Sequence, residues 1–439
     1  MRLLFSFLRR HWMSATLLAL GLATHFPFIA WPAEVVFDEV HFGKFVSAYF
    51  TGEYYFDIHP PLGKLLIAFA AWVGGFAPGF DFATNGEAYG AVPFVALRFL
   101  PNLAGALIPL AGYWLARELQ FARSAAFAAG LLLALDNAIL VQTHYMLVDG
   151  FMLLFGILGL AAFLRARSRD YAWRWLYFAG ALLAGAISVK WIALPFFMGA
   201  LLLVVADYAR GFSRRLLFRA TVGLGVAPLA WYAFFFVLHF ILLPNPGFGD
   251  GYMPPGFRDE NIARKFVALN RVMFTANAAN LQTHPWSSRP ETWPLMLRPV
   301  SFWRKYESGA TAEINSIGNP AVWWGTTIAG FLALLLWLPE RDRERRWLLF
   351  VLWLGSILPF FLVQRTLFLY HYLPALVFAI FISVAWLSEP SPSPRSKAVA
   401  LNGMLVAAFL LFLYFMPLSY GFFLGDADRA QHFWISSWE

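Results

Sequence analysis

The sequence predicts an all-α polytopic membrane protein, and three observations carry that prediction. Of 439 residues, 60% are hydrophobic and only 13% charged, with a mean hydropathy of +0.61, outside the range of soluble domains. Apolar runs of about 18–22 residues recur along the whole chain, each long enough to cross a hydrocarbon core of roughly 30 Å as a helix. No alternation of apolar and polar residues in strand-length segments points to a barrel.

Spans are expected near residues 12–32, 93–115, 124–143, 146–164, 175–190, 191–208, 220–243, 320–338, 347–363, 366–387 and 398–417, about eleven in all. The stretch 62–80 is apolar but short, carries Lys64 and is interrupted by Gly74-Gly75. Laid on the outer surface as a juxtamembrane helix, it leaves Arg2, Arg9, Arg10, Arg117, Arg123, Arg165, Arg167, Arg169, Arg174, Arg210, Arg214, Arg215, Arg219, Arg341, Arg343, Arg345, Arg346, Arg395 and Lys397 on one side, which is therefore cytoplasmic. A crossing there would scatter those charges over both sides. The N-terminus is then cytoplasmic, and a Pro/Ser-rich linker at 389–394 lies on the same side. Residues 1–439 read as one transmembrane domain whose non-membrane mass is external, in a first loop at 33–92 and a second at 244–318.

The net charge of +8 is accounted for by topology, so no nucleic-acid partner is expected. The absence of cysteine excludes disulfides, thiol nucleophiles and Cys-ligated metal, and the nine histidines show no metal-ligand spacing. Neither a metal nor a cofactor is expected.

In the first outer loop, Phe42, Phe45, Val46, Tyr49 and Phe50 fall at helical spacing and predict an amphipathic interfacial helix ended by Gly52. Asp38 and Glu39 stand at its first turn and present carboxylates at the membrane surface; spacing alone also fits an N-cap acid. His59-Pro60-Pro61 fixes a rigid turn before Leu62. At membrane depth, Arg98, Lys190, Arg365 and His371 come from four spans and fall near their outer ends. Burying charge is costly, so four cations on the side that presents Asp38 and Glu39 point to an anion site, and a lipid-linked phosphate is its natural occupant. Asp136, Asn137, His144 and Asp149 add polar groups at that level, and Asp136 and Asp149 serve equally well as counter-ions. His59, Asp136, Asn137, Asp149 and Tyr370 are the candidates for lining the site.

The run Asp38-Glu39-Val40-His41-Phe42-Gly43-Lys44 through His59-Pro60-Pro61-Leu62-Gly63-Lys64 resembles the first luminal loop of the protein O-mannosyltransferase family, membrane glycosyltransferases of the GT-C class. Leu97-Arg98-Phe99-Leu100, Leu135-Asp136-Asn137, Ser188-Val189-Lys190-Trp191, Thr292-Trp293-Pro294, Gly318-Asn319-Pro320 and His371-Tyr372-Leu373-Pro374 resemble further family blocks in family order. The resemblance implies a GT-C fold and metal-independent, inverting transfer of a sugar, typically mannose, from a polyprenyl-phosphate donor to Ser/Thr hydroxyls of exported proteins. Asp38 would be the catalytic carboxylate and Glu39 would shape the site. Arg98 matches the family's second-span arginine, and Lys190, Arg365 and His371 carry over to the phosphate side. His144 stands where relatives usually show arginine. The 244–318 loop has no room for the β-trefoil MIR domain of eukaryotic members, which implies a bacterial member of the inner membrane with its site on the extracytoplasmic face.

The chemistry fits these residues. A serine hydroxyl is a poor nucleophile, so one carboxylate must take its proton while cations stabilise the departing phosphate. Adjacent Asp38 and Glu39 diverge along a helix and cannot flank a sugar as a retaining pair does. Two alternatives stand beside this reading: a lipid-carrier transferase acting on a glycan or lipid acceptor, and a transporter or lipid flippase.

Overall fold

The computed structural model describes residues 2–211, 213–278, 284–337, 343–389 and 394–439, with side chains from residue 11 onward except Pro394. Arg341 and most of the 389–394 linker lie outside the described residues, as do the side chains of Arg2, Arg9 and Arg10.

After α1 (Arg2–His25), the first loop carries two short helices, α2 (Glu39–Thr51) and α3 (Leu62–Val73). Gly52, at φ 75°, ends α2 by turning left-handed and donating its N–H to the Ala48 carbonyl. With 12 residues, α3 is about 18 Å long and falls short of a bilayer core. It leaves Phe69, Trp72 and Val73 exposed, an apolar end suited to an interfacial position.

The bundle continues with α4 (Phe94–Glu118), α5 (Arg123–Ala134), α6 (Asn137–His144), α7 (Asp149–Arg167), α8 (Trp173–Val189) and α9 (Leu194–Ala209). Among the described residues six helices are long and apolar enough to cross a membrane: Phe94–Glu118, Asp149–Arg167, Trp191–Ala209, Arg214–Leu242, Leu369–Ser388 and Arg395–Tyr420. The α5/α6 pair, bent by 59°, makes a seventh if it counts as one span. The expected spans at 175–190 and 320–338 appear as α8 and Pro320–Leu336, each 17 residues and about 25 Å. Lys190 cuts α8 short: its extended backbone (φ −150°, ψ 138°) separates α8 from the next helix.

The sequence reading missed a three-stranded antiparallel sheet of β1 (Ser301–Glu307), β2 (Ala310–Asn315) and β3 (Phe423–Gly425), in the order β1-β2-β3. Ser308 (φ 51°) and Gly309 (φ 81°) are both left-handed, the conformation of a two-residue type I′ hairpin. The sheet draws its third strand from a segment more than a hundred residues downstream, which local pattern cannot disclose.

Two polar layers bracket the bundle, and α7 joins them. It starts at Asp149 beside the first loop and ends at Arg167, which bridges Asp207 (2.5 Å) and Glu344 (2.5 Å). Nineteen residues at about 1.5 Å each separate the layers by roughly the thickness of a hydrocarbon core.

Candidate active site

The two adjacent carboxylates have opposite fates. Glu39 is fully buried and fully engaged. Its Oε2 accepts from the Val36 N–H, the Tyr89 hydroxyl and Arg98 Nη2, each at 2.8 Å. Its Oε1 accepts from Arg98 Nε at 2.8 Å and from the Met146 N–H at 2.9 Å. Arg98 has no donor to spare, since Nη1 reaches the Pro32 carbonyl at 2.8 Å and Nη2 also reaches the Glu34 carbonyl at 2.9 Å. The Tyr89, Phe94 and Tyr145 rings, with centroids 5.0–5.5 Å from its guanidinium carbon, close it off. Arg98 is therefore not placed on a donor phosphate: it clamps Glu39, and through it fastens the first loop to α4 and to the turn at Met146.

Asp38, one residue earlier, caps α2 without a side-chain cap bond, and its carboxylate accepts no hydrogen bond from any described residue. The preceding Phe37 sits at φ 49°, its ring stacked on Phe302 at 4.1 Å, so the turn that presents Asp38 is braced against the sheet. Burial raises the Asp38 carboxyl above its ordinary range, against the opposing pull of the His41 and Lys190 charges. The rate of a reaction that needs ionised Asp38 should therefore climb with pH along an acid limb lying above the ordinary aspartate pKa of about 3.9. A pH–rate profile checks this, and Asp38→Asn should abolish the limb.

Facing Asp38 is a nest of charges from distant elements. Lys190 Nζ, freed by the break after α8, donates to Asp149 Oδ2 at 2.7 Å and lies 5.4 Å from the centre of the Tyr370 ring. Asp149 Oδ2 also accepts from Gln142 Nε2 at 3.0 Å, whereas its Oδ1 is buried without a protein partner. Arg365 Nη2 donates to His371 Nε2 at 2.9 Å, and His371 Nδ1 faces the Phe368 carbonyl at 3.0 Å. Nδ1 also lies 3.1 Å from the Phe368 N–H; a neutral ring with its proton on Nδ1 donates to the carbonyl and accepts from Arg365 at Nε2, and gives up that N–H contact. His371 is thus spoken for by Arg365. Arg365 also lines an open cavity of about 550 Å³ together with Ser287, Ser288, Arg289 and Gln364.

His59 lies within the same field. Burial, with the Lys190, Arg365 and Lys64 charges acting in the same direction, pushes its imidazole well below the usual histidine range, which leaves it neutral. The turn that carries it is held by Lys64, buried on α3, which pairs with Asp57 and donates to the carbonyls of His59 (2.8 Å) and Pro60 (3.1 Å).

Asp38, His59, Asp149, Lys190, Arg365, Tyr370 and His371 thus form one constellation. Asp136 and Asn137 do not belong to it. Asp136 caps α6 through the Ile139 N–H (2.9 Å) and accepts from Trp323 Nε1 (2.8 Å), while Asn137 donates to Ser419 Oγ (2.9 Å). Both serve the bend between α5 and α6. His144 contacts the Phe28 carbonyl at 3.3 Å. Asp57 also belongs to this turn; its spacing seven residues before Lys64, across His59-Pro60-Pro61, is the sequence signal for the pair. Among the described residues no group of three or more His, Asp or Glu is arranged to hold a metal ion.

Comparison with known proteins matches residues 15–244 to the family described as dolichyl-phosphate-mannose-protein mannosyltransferase, and residues 262–438 to the C-terminal four-transmembrane region of protein O-mannosyltransferase. Similar curated proteins include dolichyl-phosphate-mannose–protein mannosyltransferase 4 of Candida albicans, 32% identical over 270 residues, or 57% of this chain and 36% of that protein. Protein O-mannosyltransferase 1 of Drosophila melanogaster is 35% identical over 266 residues, 57% of this chain and 30% of its own length. The matches thus cover only about a third of these relatives. Among solved structures, the S. cerevisiae protein O-mannosyltransferase Pmt1-Pmt2 complex bound to the sugar donor superposes with a TM-score of 0.88 at 19% identity, covering 98% of this chain and 93% of that one. ArnT from Cupriavidus metallidurans bound to undecaprenyl phosphate gives 0.58 at 18% identity, covering 92% and 64%. At such identities these structures speak for the fold alone, a helical GT-C architecture. The family rests on the sequence match, which begins upstream of Asp38 and Glu39 and runs through Lys190: this chain belongs to the protein O-mannosyltransferase family.

Proposed function

We propose that the protein transfers mannose from a polyprenyl-phosphate donor to Ser/Thr hydroxyls of exported polypeptides by a single inverting displacement that needs no metal. The observation that carries this reading is the unengaged carboxylate of Asp38 beside a fully engaged Glu39 and within the field of Lys190, in the cluster that Arg365 joins through His59 and Tyr370. In the reaction the acceptor oxygen bonds to the sugar C1 while the bond from C1 to the phosphate oxygen breaks, and its electron pair leaves with the phosphate. Asp38 receives the hydroxyl proton. Lys190 and Arg365 offset the charge that develops on the phosphate, with Asp149 fixing Lys190 and His371 fixing Arg365. The cavity beside Arg365 is also lined by the exposed apolar Phe361 and by Phe360 and Val363, which suits an amphiphile with a charged head. We place the site on the extracytoplasmic face of a bacterial plasma membrane; the arginine-rich opposite layer supports that orientation.

A cell-free assay offering a labelled polyprenyl-phosphate mannose and, in parallel, Ser/Thr peptides and glycan or lipid acceptors tests the reading. Label on the peptide hydroxyl is expected; label only on the glycan or lipid would replace it with the related lipid-carrier transferase.

Donor binding should depend on Arg365. Charge-assisted contacts to phosphate are each worth about 1.5–3 kcal/mol, so Arg365→Ala should weaken donor affinity roughly 10- to 150-fold, measured by titration with a short-chain polyprenyl-phosphate sugar. Arg365→Lys should restore only part, because a point charge replaces a planar fork. Unchanged affinity in Arg365→Ala would remove the phosphate from this position.

A further inference from the structure

The sheet has an open edge that starts at the turn presenting Asp38. A two-residue hairpin makes its flanking residues, Glu307 and Ala310, a hydrogen-bonded pair, and antiparallel pairs then alternate along the ladder. Lys305 with Ala312 and Trp303 with Ile314 are accordingly the inward-bonded pairs. Arg304 and Tyr306 turn their N–H and C=O groups the other way. The Arg304–Glu313 side-chain bridge at 2.8 Å agrees, because side chains approach closely across a non-hydrogen-bonded pair.

On that outward edge, Phe302 is already paired: its carbonyl accepts from the Phe37 N–H at 3.1 Å, one residue before Asp38. Beyond Phe302 the edge is bare. The backbone groups of Arg304 and Tyr306 have no hydrogen-bond partner among the described residues, and both residues are exposed. Unpaired strand edges are normally covered, twisted away or blocked by charge. Here Arg304 pairs with Glu313, which Arg429 also reaches at 3.1 Å, and Lys305 pairs with Glu34 at 2.6 Å, so the two cations of the strand are each held by a carboxylate rather than left to block the edge.

We propose that this edge binds the acceptor polypeptide as an added β-strand, through main-chain hydrogen bonds to Arg304 and Tyr306. The proposal rests on the protein-acceptor reading above and names how that acceptor is held. Two residues of strand, about 7 Å, separate Arg304 from Phe302. An extended segment paired at Arg304 and Tyr306 therefore runs into the Phe37–Asp38 turn, and the reacting Ser or Thr lies two or three residues beyond the paired stretch. Recognition by main chain gives affinity for an extended polypeptide with little demand on its sequence.

The test uses the full-length enzyme and a peptide with a single Thr, scanned by N-methylation one amide at a time. Methylation removes the donor without touching the enzyme. Because only alternate residues of an added strand bond to the edge, the specificity constant kcat/KM should fall about 2- to 12-fold at every second position on one side of the Thr and stay level between them. The enzyme-side counterpart is Tyr306→Pro, which deletes one outward N–H at an edge where proline is tolerated. It should lower kcat/KM for the peptide relative to that for N-acetyl-threonine amide. Transfer that is indifferent to methylation, or sensitive at consecutive positions without alternation, overturns the edge proposal while leaving the protein-acceptor reading in place. Absence of transfer to any peptide overturns both. Should Tyr306→Pro fail to fold, the methylation series alone decides.

Discussion

Asp38→Asn should lower sugar transfer by about 10²- to 10⁴-fold while donor binding survives. The asparagine keeps the size and position of the carboxylate but cannot accept the hydroxyl proton, and that range is what a positioned general base contributes. Because Asp38 bonds to no described residue, its loss leaves no structural partner stranded, so the variant should fold as the wild type does. The loss should appear in kcat rather than in donor affinity, since the proton moves only in the transition state. Single-turnover transfer with saturating donor measures it. Near-wild-type turnover would reduce Asp38 to a helix cap.

The second large effect is on folding. Arg98→Ala should destabilise the protein by about 3–5 kcal/mol, because it leaves the Glu39 carboxylate buried and without its main counter-charge. Glu39→Gln should also cost stability, since its one amide oxygen replaces only one carboxylate oxygen and its NH2 then faces donors, either Tyr89 and Val36 or the Met146 N–H, with Arg98 left without a counter-charge. Breaking either partner alone exposes the other, so the pair Glu39→Leu with Arg98→Met should cost less than the sum of its single changes. Thermal unfolding in detergent, with transfer measured on the same samples, checks this. A fully stable Arg98→Ala with weakened donor binding would return Arg98 to the phosphate.

That reversal shows what a sequence can and cannot display. Hydropathy and the placement of arginines made the helical membrane class legible, because spans and their flanking charges answer to the bilayer, which acts on composition. The adjacency of Asp38 and Glu39 was equally plain, but not which of them reacts. That depends on Tyr89, Arg98 and the Met146 N–H converging on one carboxylate, a tertiary fact. Membrane depth and charge alone point Arg98 at a phosphate, because its partners are not visible in the sequence. Lys190 and Asp149 were each visible as buried charges, and their 2.7 Å pairing needed the break after α8 to bring them together. Depth and the Leu135-Asp136-Asn137 block mark Asp136 and Asn137 as polar at that level, and the bend between α5 and α6 is enough to require them. The sheet escaped notice because β1 and β2 are short and β3 arrives from the far end of the chain.

The central claim is a division of labour between neighbours: Asp38 reacts and Glu39 holds. Donor titration and peptide-transfer rate, measured on the same preparations of wild type, Asp38→Asn and Glu39→Gln, test it most directly. The predicted result is that Asp38→Asn binds a short-chain polyprenyl-phosphate mannose as wild type does yet transfers at most about a hundredth as fast, while Glu39→Gln loses stability and keeps transfer in proportion to the folded fraction. If Glu39→Gln, fully folded, abolished transfer and Asp38→Asn retained it, the roles of the two carboxylates would be the reverse of those assigned.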